Sequence, residues 1–285
     1  MEQAAPAPAA AFSAHHSFRR IICLTAETTE VMYALGQENR IVGISGYSTR
    51  PARARREKPK VSAFSTAKLD KILALQPDLV LGFSNLQADI AAHLIRAGIE
   101  VHLFNQRSIA EILRMIITIG RLTDSYGKAE SIVKALEDEI AAARESAAEI
   151  TIRPTVYFEE WDEPIISGIR WVSELIETAG GRDCFEELSM HAAAGDRVIA
   201  DSSRVIEKMP DIIIGSWCGK NFQPEKLMSR PGWSVIPAVR NGFVYEIKSA
   251  DILQPGPSVI THGLKQLQSI IRCWAVQQTH AKHWS

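Results

Sequence analysis

Two distant stretches of this chain share one pattern, and this repeat constrains the fold more than any other feature. The first is LDKILALQPDLVLGF at residues 69–83, and the second is SRVIEKMPDIIIGSW at residues 203–217. Each is typical of a short helix, a Pro-Asp turn, an apolar strand, and a glycine with an aromatic residue close behind it. An internal repeat of an α/β unit predicts two lobes of similar architecture.

Apolar runs alternate with helical patterns through the first half of the chain. Predicted strands cover residues 20–25, 41–44, 78–83 and 101–104, and predicted helices cover residues 28–35, 69–75, 88–97 and 108–122. Short apolar runs rich in β-branched residues are typical of buried strands. Strands that alternate with helices predict a parallel sheet with helices on both faces.

A long helical pattern separates the two halves. It runs from Ser125 to about Ile150, with apolar residues such as Ile132, Leu136 and Ile140 on one side and charged residues elsewhere. At about 1.5 Å per residue this helix would extend roughly 35–40 Å, which is enough to span a domain. We expect it to join the lobes rigidly, because bending it would break backbone hydrogen bonds.

The alternation restarts after this helix, with predicted strands at 155–159, 211–215 and 243–247 and helices at 172–179, 205–209 and 258–274. The fold class is therefore α/β, with two Rossmann-like lobes around central parallel sheets joined by one long rigid α-helix. The predicted divisions are a disordered arm (1–18), an N-terminal α/β lobe (19–122), the inter-lobe helix (123–152), a C-terminal α/β lobe (153–275) and a tail (276–285). Ligands of open α/β sheets bind at the carboxyl ends of the strands, so we expect a ligand cleft between the lobes.

Composition argues against several partners. The chain has 32 basic and 33 acidic residues, so neither nucleic acid nor an anionic membrane is an expected partner. The basic run at residues 50–60 fits a solvated loop face or a phosphate or partner site. The four cysteines have no CxxC spacing, so we expect neither a metal site nor an intrinsic cofactor.

Catalytic patterns are missing from the chain, which favours a binding protein over an enzyme. Neither a GxSxG, an HExxH nor a GxxxxGK[ST] motif occurs. The sequence contains no run of about 18 apolar residues, the length that a membrane span needs. Residues 1–17 lack the pattern of an intact secretory signal, and scattered thiols favour a reducing compartment. A cytoplasmic and a periplasmic location both stay open.

Four motifs occur in an order that points to a known family: ICLTAETTEVMYALGQENRIVGISGYSTRP, KLDKILALQPDLVLGF, SELIETAGGRDCF and SSRVIEKMPDIIIG. Together they resemble the class III periplasmic-binding proteins, which deliver vitamin B12, haem and ferric siderophores to ABC importers. The resemblance covers about residues 20–274 and is strongest to the cobalamin-binding branch. It implies a monomeric periplasmic solute-binding protein, with cobalamin or another corrinoid as its small-molecule ligand and an importer permease as its partner.

The resemblance also implies which residues contact the ligand. Tyr47, Phe64 and Phe83 match aromatic side chains that press on the corrin ring, and Asp251 matches an acidic contact. Trp161 and Trp217 follow predicted strands of the second lobe and would add further walls, because aromatic rings bury much area at little entropy cost. Arg170 would form an ion pair with an anionic group of the ligand. For docking on the transporter, one matched acid is Asp70; the other position is Ser203, and the nearest acid is Asp201.

Other interpretations remain open at this stage. A ferric siderophore or haem is the first alternative ligand, and His191 is a candidate axial ligand, although a surface histidine is the more common case. Glu159, Glu160, Asp162 and Glu163 surround Trp161 and fit either a polar ligand contact, acid–base chemistry or a solvated loop. A cytoplasmic cofactor-handling protein or enzyme on the same fold is the second alternative, with Cys218 as its reactive residue.

Overall fold

The computed structural model describes residues 17–282, which form two five-stranded sheets with helices packed around them. Most of the predicted arm, residues 1–16, lies outside the described residues, as do residues 283–285. The strands are β1 Ile21–Cys23, β2 Ile41–Ser45, β3 Lys60–Ser62, β4 Leu79–Phe83, β5 Glu100–Phe104, β6 Thr155–Asp162, β7 Ile165–Ser167, β8 Arg182–Asp183, β9 Ile212–Gly215 and β10 Val244–Glu246.

The α-helices of the first lobe and the link are α1 Ala26–Ala34, α2 Ala54–Glu57, α3 Leu69–Ala74, α4 Ala88–Arg96, α5 Ile109–Leu122 and α6 Tyr126–Ala148. Those of the second lobe are α7 Arg170–Thr178, α8 Glu186–Ser189, α9 Ser203–Lys208, α10 Pro224–Met228, α11 Pro237–Arg240, α12 Ser249–Ile252 and α13 Lys265–Lys282. A π-helix, Val259–Leu264, leads directly into α13.

The first sheet has the order β3-β2-β1-β4-β5, and all of its pairs are parallel. Its central strand β1 is completely buried, which explains why its sequence is apolar without alternation. The carboxyl ends of all five strands therefore lie at one edge of the sheet. The loops that follow β2, β3, β4 and β5 start from this edge.

The second sheet has the order β10-β9-β6-β7, and β8 also pairs with β6. β7 pairs antiparallel with the end of β6, while β8 and β9 pair parallel with it. The alternation of the sequence missed three short strands, β3, β7 and β8. Strands of two or three residues carry too few positions to display a period, and tertiary pairing decides them.

The Pro-Asp repeat has a common backbone form in both lobes. Gln76 and Met209, which precede the two prolines, both adopt φ of 45°. Asp78 then accepts hydrogen bonds from the backbone N–H groups of Arg19 at 2.7 Å and Arg20 at 2.9 Å, just before β1. Asp211 accepts one from the N–H of Thr155 at 2.8 Å, at the start of β6. In each lobe the repeated aspartate thus fixes the start of a central strand.

Replacing Asp211 by Ala should destabilise the second lobe by about 1.5–3 kcal/mol, because the N–H of Thr155 loses a charge-assisted partner. Urea unfolding followed by circular dichroism measures this change. The matched control is Asp138→Ala on α6, where the aspartate pairs with Lys134 on an exposed surface. Equal stability of the two variants would contradict the role assigned to the repeat.

Helix α6 packs closely on α5 and buries Ala129, Leu136, Ile140 and Ala143. A Cβ on Gly120 of α5 would lie 2.4 Å from the Cβ of Ala129, so glycine is required for this close approach. The observed bounds of α6 lie within the predicted inter-lobe segment. At the other end of the chain, α13 continues to Lys282, beyond the predicted end at Trp274 and through most of the predicted tail.

Candidate functional site

Hydrogen bonds connect the loops at the carboxyl ends of the two sheets, so these edges face each other. Arg50, in the loop after β2, forms an ion pair with Asp251 of α12, which follows β10. Arg50 also donates to the carbonyl of Ala250 at 2.6 Å. In a separate contact, Glu174 of α7 accepts a hydrogen bond at 2.7 Å from the N–H of Ile109, the first residue of α5. The facing edges of the two sheets are therefore joined at two separate places.

A short segment of the second lobe, Leu253–Ser258, crosses to the first lobe and is called the strap below. Gln254 donates to the carbonyl of Tyr47 at 3.3 Å, and Ser258 donates to the Glu30 carboxylate at 3.0 Å. The carbonyl of Pro255 accepts a hydrogen bond from the Gln106 side chain at 3.1 Å. Three segments of the first lobe, α1 and the loops after β2 and β5, thus contact the strap.

The strap lies directly against a buried acid of the first lobe. A Cβ on Gly256 would lie 2.7 Å from the Cβ of Glu27, so the strap has room here only for glycine. Glu27 itself is buried, and its Oε1 has no hydrogen-bond partner among the described residues. Burial raises its pKa to about 7, with a smaller contribution from the neighbouring Glu30 carboxylate.

The first lobe presents large apolar side chains to the solvent at the cleft edge. Tyr47 is 53% exposed and Phe64 is 42% exposed. Ser45 of β2 is paired with Ser62 of β3, so these two rings each lie two residues beyond a paired position. Leu86, in the turn after β4, is 58% exposed, and sequence reasoning did not single it out. These three residues form what we call the first wall.

Phe83 lies behind the first wall. It is buried, and its ring centroid is 6.4 Å from that of Phe64. The guanidinium carbon of Arg107 lies over the Phe83 ring, 4.7 Å from its centroid, and the Arg107 Nε has no hydrogen-bond partner among the described residues. Burial lowers the pKa of Arg107, and so does the nearby Arg197 of the second lobe. Arg107 lies three residues beyond the end of β5. This position after a strand could have identified it as a candidate ligand contact from the sequence.

The second lobe contributes Trp161 of β6, whose indole N–H donates to the Glu163 carbonyl at 2.8 Å. The Lys220 ammonium lies 4.2 Å from the centre of the Trp161 ring and 5.0 Å from that of Trp217. Trp217 is only 3% exposed and packs edge-on against Phe222 at 5.0 Å. The structure therefore puts Trp161 at the edge of this lobe and Trp217 beneath it.

The four carboxylates around Trp161 are all held by basic side chains of the same lobe. Glu159 is fully buried and accepts two hydrogen bonds from Arg230, at 2.5 Å and 2.9 Å. Glu160 accepts from the buried Arg197 at 2.7 Å. Asp162 pairs with Lys220 and Lys226, and Glu163 pairs with Lys226 at 2.7 Å.

Burial of Glu159 and Asp162 overturns the solvated-loop interpretation for these two carboxylates, whereas Glu163, beyond the end of β6, is exposed. Although burial acts to raise the pKa of Asp162, hydrogen bonds from Lys220 and Lys226 hold it below its usual value. A carboxylate with a depressed pKa is a poor general acid or base near neutral pH. The carboxylates instead hold the loops of the second lobe in place through their ion pairs. Their basic partners lie far away in the sequence, so no local pattern could predict these pairs.

Two further predicted contacts are already engaged with protein groups. Asp251 accepts from Gln266 at 2.9 Å in addition to its ion pair with Arg50. Arg170 is exposed at the start of α7 and pairs with Glu174 at 2.9 Å. It lines a surface cavity of about 770 Å³ between α6, α7 and α8, which none of the other predicted ligand residues lines. Because charged and small side chains dominate that cavity, we prefer the first wall as the ligand surface.

Cys218 and His191 are the candidate residues for the enzyme and haem-ligand interpretations, and their surroundings do not favour either role. Cys218 is free, and burial of its thiol together with Glu160 raises its pKa, which disfavours the reactive thiolate. His191 is exposed just after α8. Within residues 17–282 no group of three or more His, Cys, Asp or Glu side chains is arranged to hold a metal ion. None of the described helices combines the length and apolar character that a membrane crossing requires.

Asp70, the acid matched to transporter docking, and Asp201, the acid nearest to the second matched position Ser203, lie close to the corresponding helices of the two lobes. Asp70 is exposed in the first turn of α3, and Asp201 is exposed just before α9. These two helices are the helical parts of the internal repeat. Asp201 accepts a hydrogen bond from the N–H of Ser203 at 2.8 Å, which lowers the pKa of its carboxyl.

Comparisons with known proteins agree on the architecture. The profile of a family described as periplasmic binding protein matches residues 21–250. A vitamin B12-binding protein of Vibrio parahaemolyticus is 26% identical over 250 residues, which cover 87% of each chain. An uncharacterised ABC transporter substrate-binding lipoprotein of Bacillus subtilis is 27% identical, covering 89% of this chain and 80% of that protein. The solved structure of a periplasmic haem-binding protein from Roseiflexus superposes with a TM-score of 0.79 at 24% identity, covering 90% of this chain and 99% of that one.

Proposed function

Because the chain belongs to the periplasmic binding protein family, we propose that it binds a corrinoid in its inter-lobe cleft and passes it to an ABC-type importer. Its relatives are substrate-binding proteins, and the relative from Vibrio parahaemolyticus is named for vitamin B12. The observation that carries the proposal is the first wall, where Tyr47 and Phe64 are about half exposed at the carboxyl edge of a parallel sheet.

A flat macrocycle suits this surface. Exposed rings and Leu86 offer apolar area that the protein leaves in contact with water, and covering it provides the main driving force for binding. The second lobe offers the edge of Trp161 and the ammonium of Lys220, while Trp217 supports them from below. The amide groups around a corrin ring can bond to the polar rim that Asp251 and Arg50 form.

We propose the importer permease as the macromolecular partner. Asp70 is exposed in α3 and Asp201 is exposed just before α9, so one acid from each lobe is available to basic residues of a transporter. The name of the Bacillus subtilis relative, a substrate-binding lipoprotein, supports a location outside the cytoplasmic membrane.

Haem or a ferric siderophore is the second candidate ligand, and one observation favours it. Arg107 carries a half-buried positive charge beside Phe83 and has no carboxylate within ion-pair distance among the described residues. A ligand with an acidic group would supply that partner. The similarity to the solved haem-binding protein shows a shared fold and does not itself favour haem as the ligand.

Titration of the purified protein with cyanocobalamin, dicyanocobinamide, hemin and a ferric hydroxamate tests both candidates. We expect a corrinoid to bind with a Kd of about 1 μM or less. Tyr47→Ala should weaken this binding about tenfold or more, because the ring no longer covers the macrocycle. Calorimetry and the visible spectrum of the ligand report the Kd.

Tyr126→Ala is the matched control, since Tyr126 is a similarly exposed tyrosine on α6 outside the cleft edge. Its Kd should equal that of the unmodified protein. Tight binding of hemin with no corrinoid binding would move the assignment to the second candidate, and binding of none of the four would refute both.

A further inference from the structure

Gln87 is fully buried and joins the two segments that carry Phe64 and Phe83. Its Oε1 accepts a hydrogen bond from the N–H of Phe83 at 3.0 Å, at the end of β4. Its Nε2 donates to the carbonyl of Phe64 at 2.8 Å, in the loop after β3. One amide therefore satisfies a backbone donor in one segment and a backbone acceptor in the other.

The sheet is built to leave room for this amide. A Cβ on Gly82 would lie 2.6 Å from the Oε1 of Gln87, so any other residue in this position of β4 would displace the side chain. Gly82 is the glycine of the first repeat, and its counterpart Gly215 leaves room for the ring of Phe222. The two lobes use the same vacancy differently: the first admits an amide and the second an aromatic ring.

The rest of the loop after β3 is tied locally. Ala63 donates its N–H to the carbonyl of Thr66 at 2.8 Å, which closes a tight turn around Phe64. The Ser62 hydroxyl donates to the carbonyl of Leu24 at 3.2 Å, below the turn. These bonds shape the turn, whereas the bond from Gln87 sets the distance of the turn from β4 and hence from the Phe83 ring.

We propose that Gln87 is a positioning residue for ligand binding, which holds the Phe64 ring at the angle and height that the macrocycle requires. The proposal rests on the proposed function of the first wall. Without the amide, the Phe64 turn loses its hydrogen bond to Gln87, and the N–H of Phe83 and the carbonyl of Phe64 lose their partners. Gln87 touches no ligand in this scheme and acts through Phe64.

A double-mutant cycle with Phe64→Ala tests this route, with dicyanocobinamide as the probe. Gln87→Met keeps the side-chain length and removes both hydrogen bonds. We expect it to weaken binding about tenfold in the parent protein and less than about twofold in the Phe64→Ala background. Independent effects that multiply would overturn the proposal, since a general loss of structure would weaken both backgrounds alike.

Gln106→Met is the matched control for the cycle. Gln106 is also buried and also donates to a backbone carbonyl, but that carbonyl belongs to Pro255 of the strap. Its effect on dicyanocobinamide binding should be independent of Phe64→Ala. Coupling of Gln106 to Phe64 as strong as that of Gln87 would contradict a specific role for Gln87.

Gln87→Glu adds a readout that depends on pH. When protonated, the introduced carboxyl can donate to the Phe64 carbonyl and still accept from the N–H of Phe83, whereas its ionised form cannot donate. We expect binding by this variant to approach that of the parent protein at pH 5 and to be about tenfold weaker than the parent at pH 8. A constant ratio between variant and parent across this range would overturn the proposal.

Hydrogen exchange separates failure of this proposal from failure of the proposed function, because it needs no ligand. In Gln87→Met the amide of Phe83 should exchange faster than in the parent protein, while the amide of Leu24, which bonds to Leu81, should not change. Unchanged exchange at Phe83 refutes the positioning role of Gln87 whatever the ligand is. Faster exchange in a protein that binds no corrinoid refutes the proposed function and with it the role of Gln87 in corrinoid binding.

Discussion

Replacement of Arg230 by Met should lower the free energy of unfolding by about 3–5 kcal/mol, which is a large part of the stability of an ordinary domain. Glu159 is fully buried and takes two hydrogen bonds from this guanidinium. Burial acts to lower the pKa of Arg230, but its hydrogen bonds to the Glu159 carboxylate raise this pKa above the usual value. Removing one partner leaves the other charge buried, which costs more than the pair itself contributes. Urea unfolding at pH 7 measures the change.

A second substitution distinguishes an unpaired charge from lost packing. In Glu159→Gln/Arg230→Met no charge remains buried, so the double variant should be more stable than Arg230→Met alone. Lys248→Met is the surface control, since the pair of Lys248 with Glu246 is largely exposed and should contribute little. A double variant less stable than Arg230→Met would show that packing, and not the orphaned carboxylate, causes the loss.

Glu27→Gln should raise stability at pH 8 by about 3 kcal/mol and leave it nearly unchanged at pH 4. Burial raises the pKa of Glu27 from 4.5 to about 7. A raised carboxyl pKa favours the folded state fully below pH 4.5, and this advantage is lost as pH rises through about 7. The stability of the parent protein should therefore fall over this window, whereas Glu27→Gln should be much less sensitive.

Neighbouring ionisable groups also contribute to the pH dependence of stability in this window. Glu30 lies beside Glu27, and burial raises its pKa as well, while Arg50 and Asp251 act on Glu30 with opposite signs. Thermal unfolding at several pH values, with Glu130→Gln on the exposed side of α6 as the control, isolates the contribution of Glu27. If Glu27→Gln follows the pH dependence of the parent protein unchanged, Glu27 is already ionised in the folded state.

The sequence predicts the strands and the repeat well because both depend on local patterns. β4 and β9 are buried, so their apolar runs stand out, and the aspartate of the Pro-Asp turn before each accepts a hydrogen bond from the start of a central strand. The prediction of two α/β lobes joined by a long helix is confirmed by the fold and by the solved structures that share it.

The candidate site is harder to predict because it depends on partners distant in the chain. Trp217 follows a strand, as a ligand contact would, yet Phe222 and Glu159 draw it beneath the surface. The pairing of Glu160 with Arg197 and of Arg50 with Asp251 joins residues that no sequence period relates. Which post-strand side chains contact a ligand therefore stays a prediction, whereas their placement at the carboxyl edges follows from the topology.

The strap gives the cleft a mechanical property that α6 alone would not provide. A single connection, even a stiff helix, restrains the relative position of two bodies less than two separate connections do. The strap adds a second connection, at Gly256 against Glu27, which restricts how the two lobes can move relative to each other. We therefore expect the two lobes to change their relative position only slightly when a ligand enters or leaves.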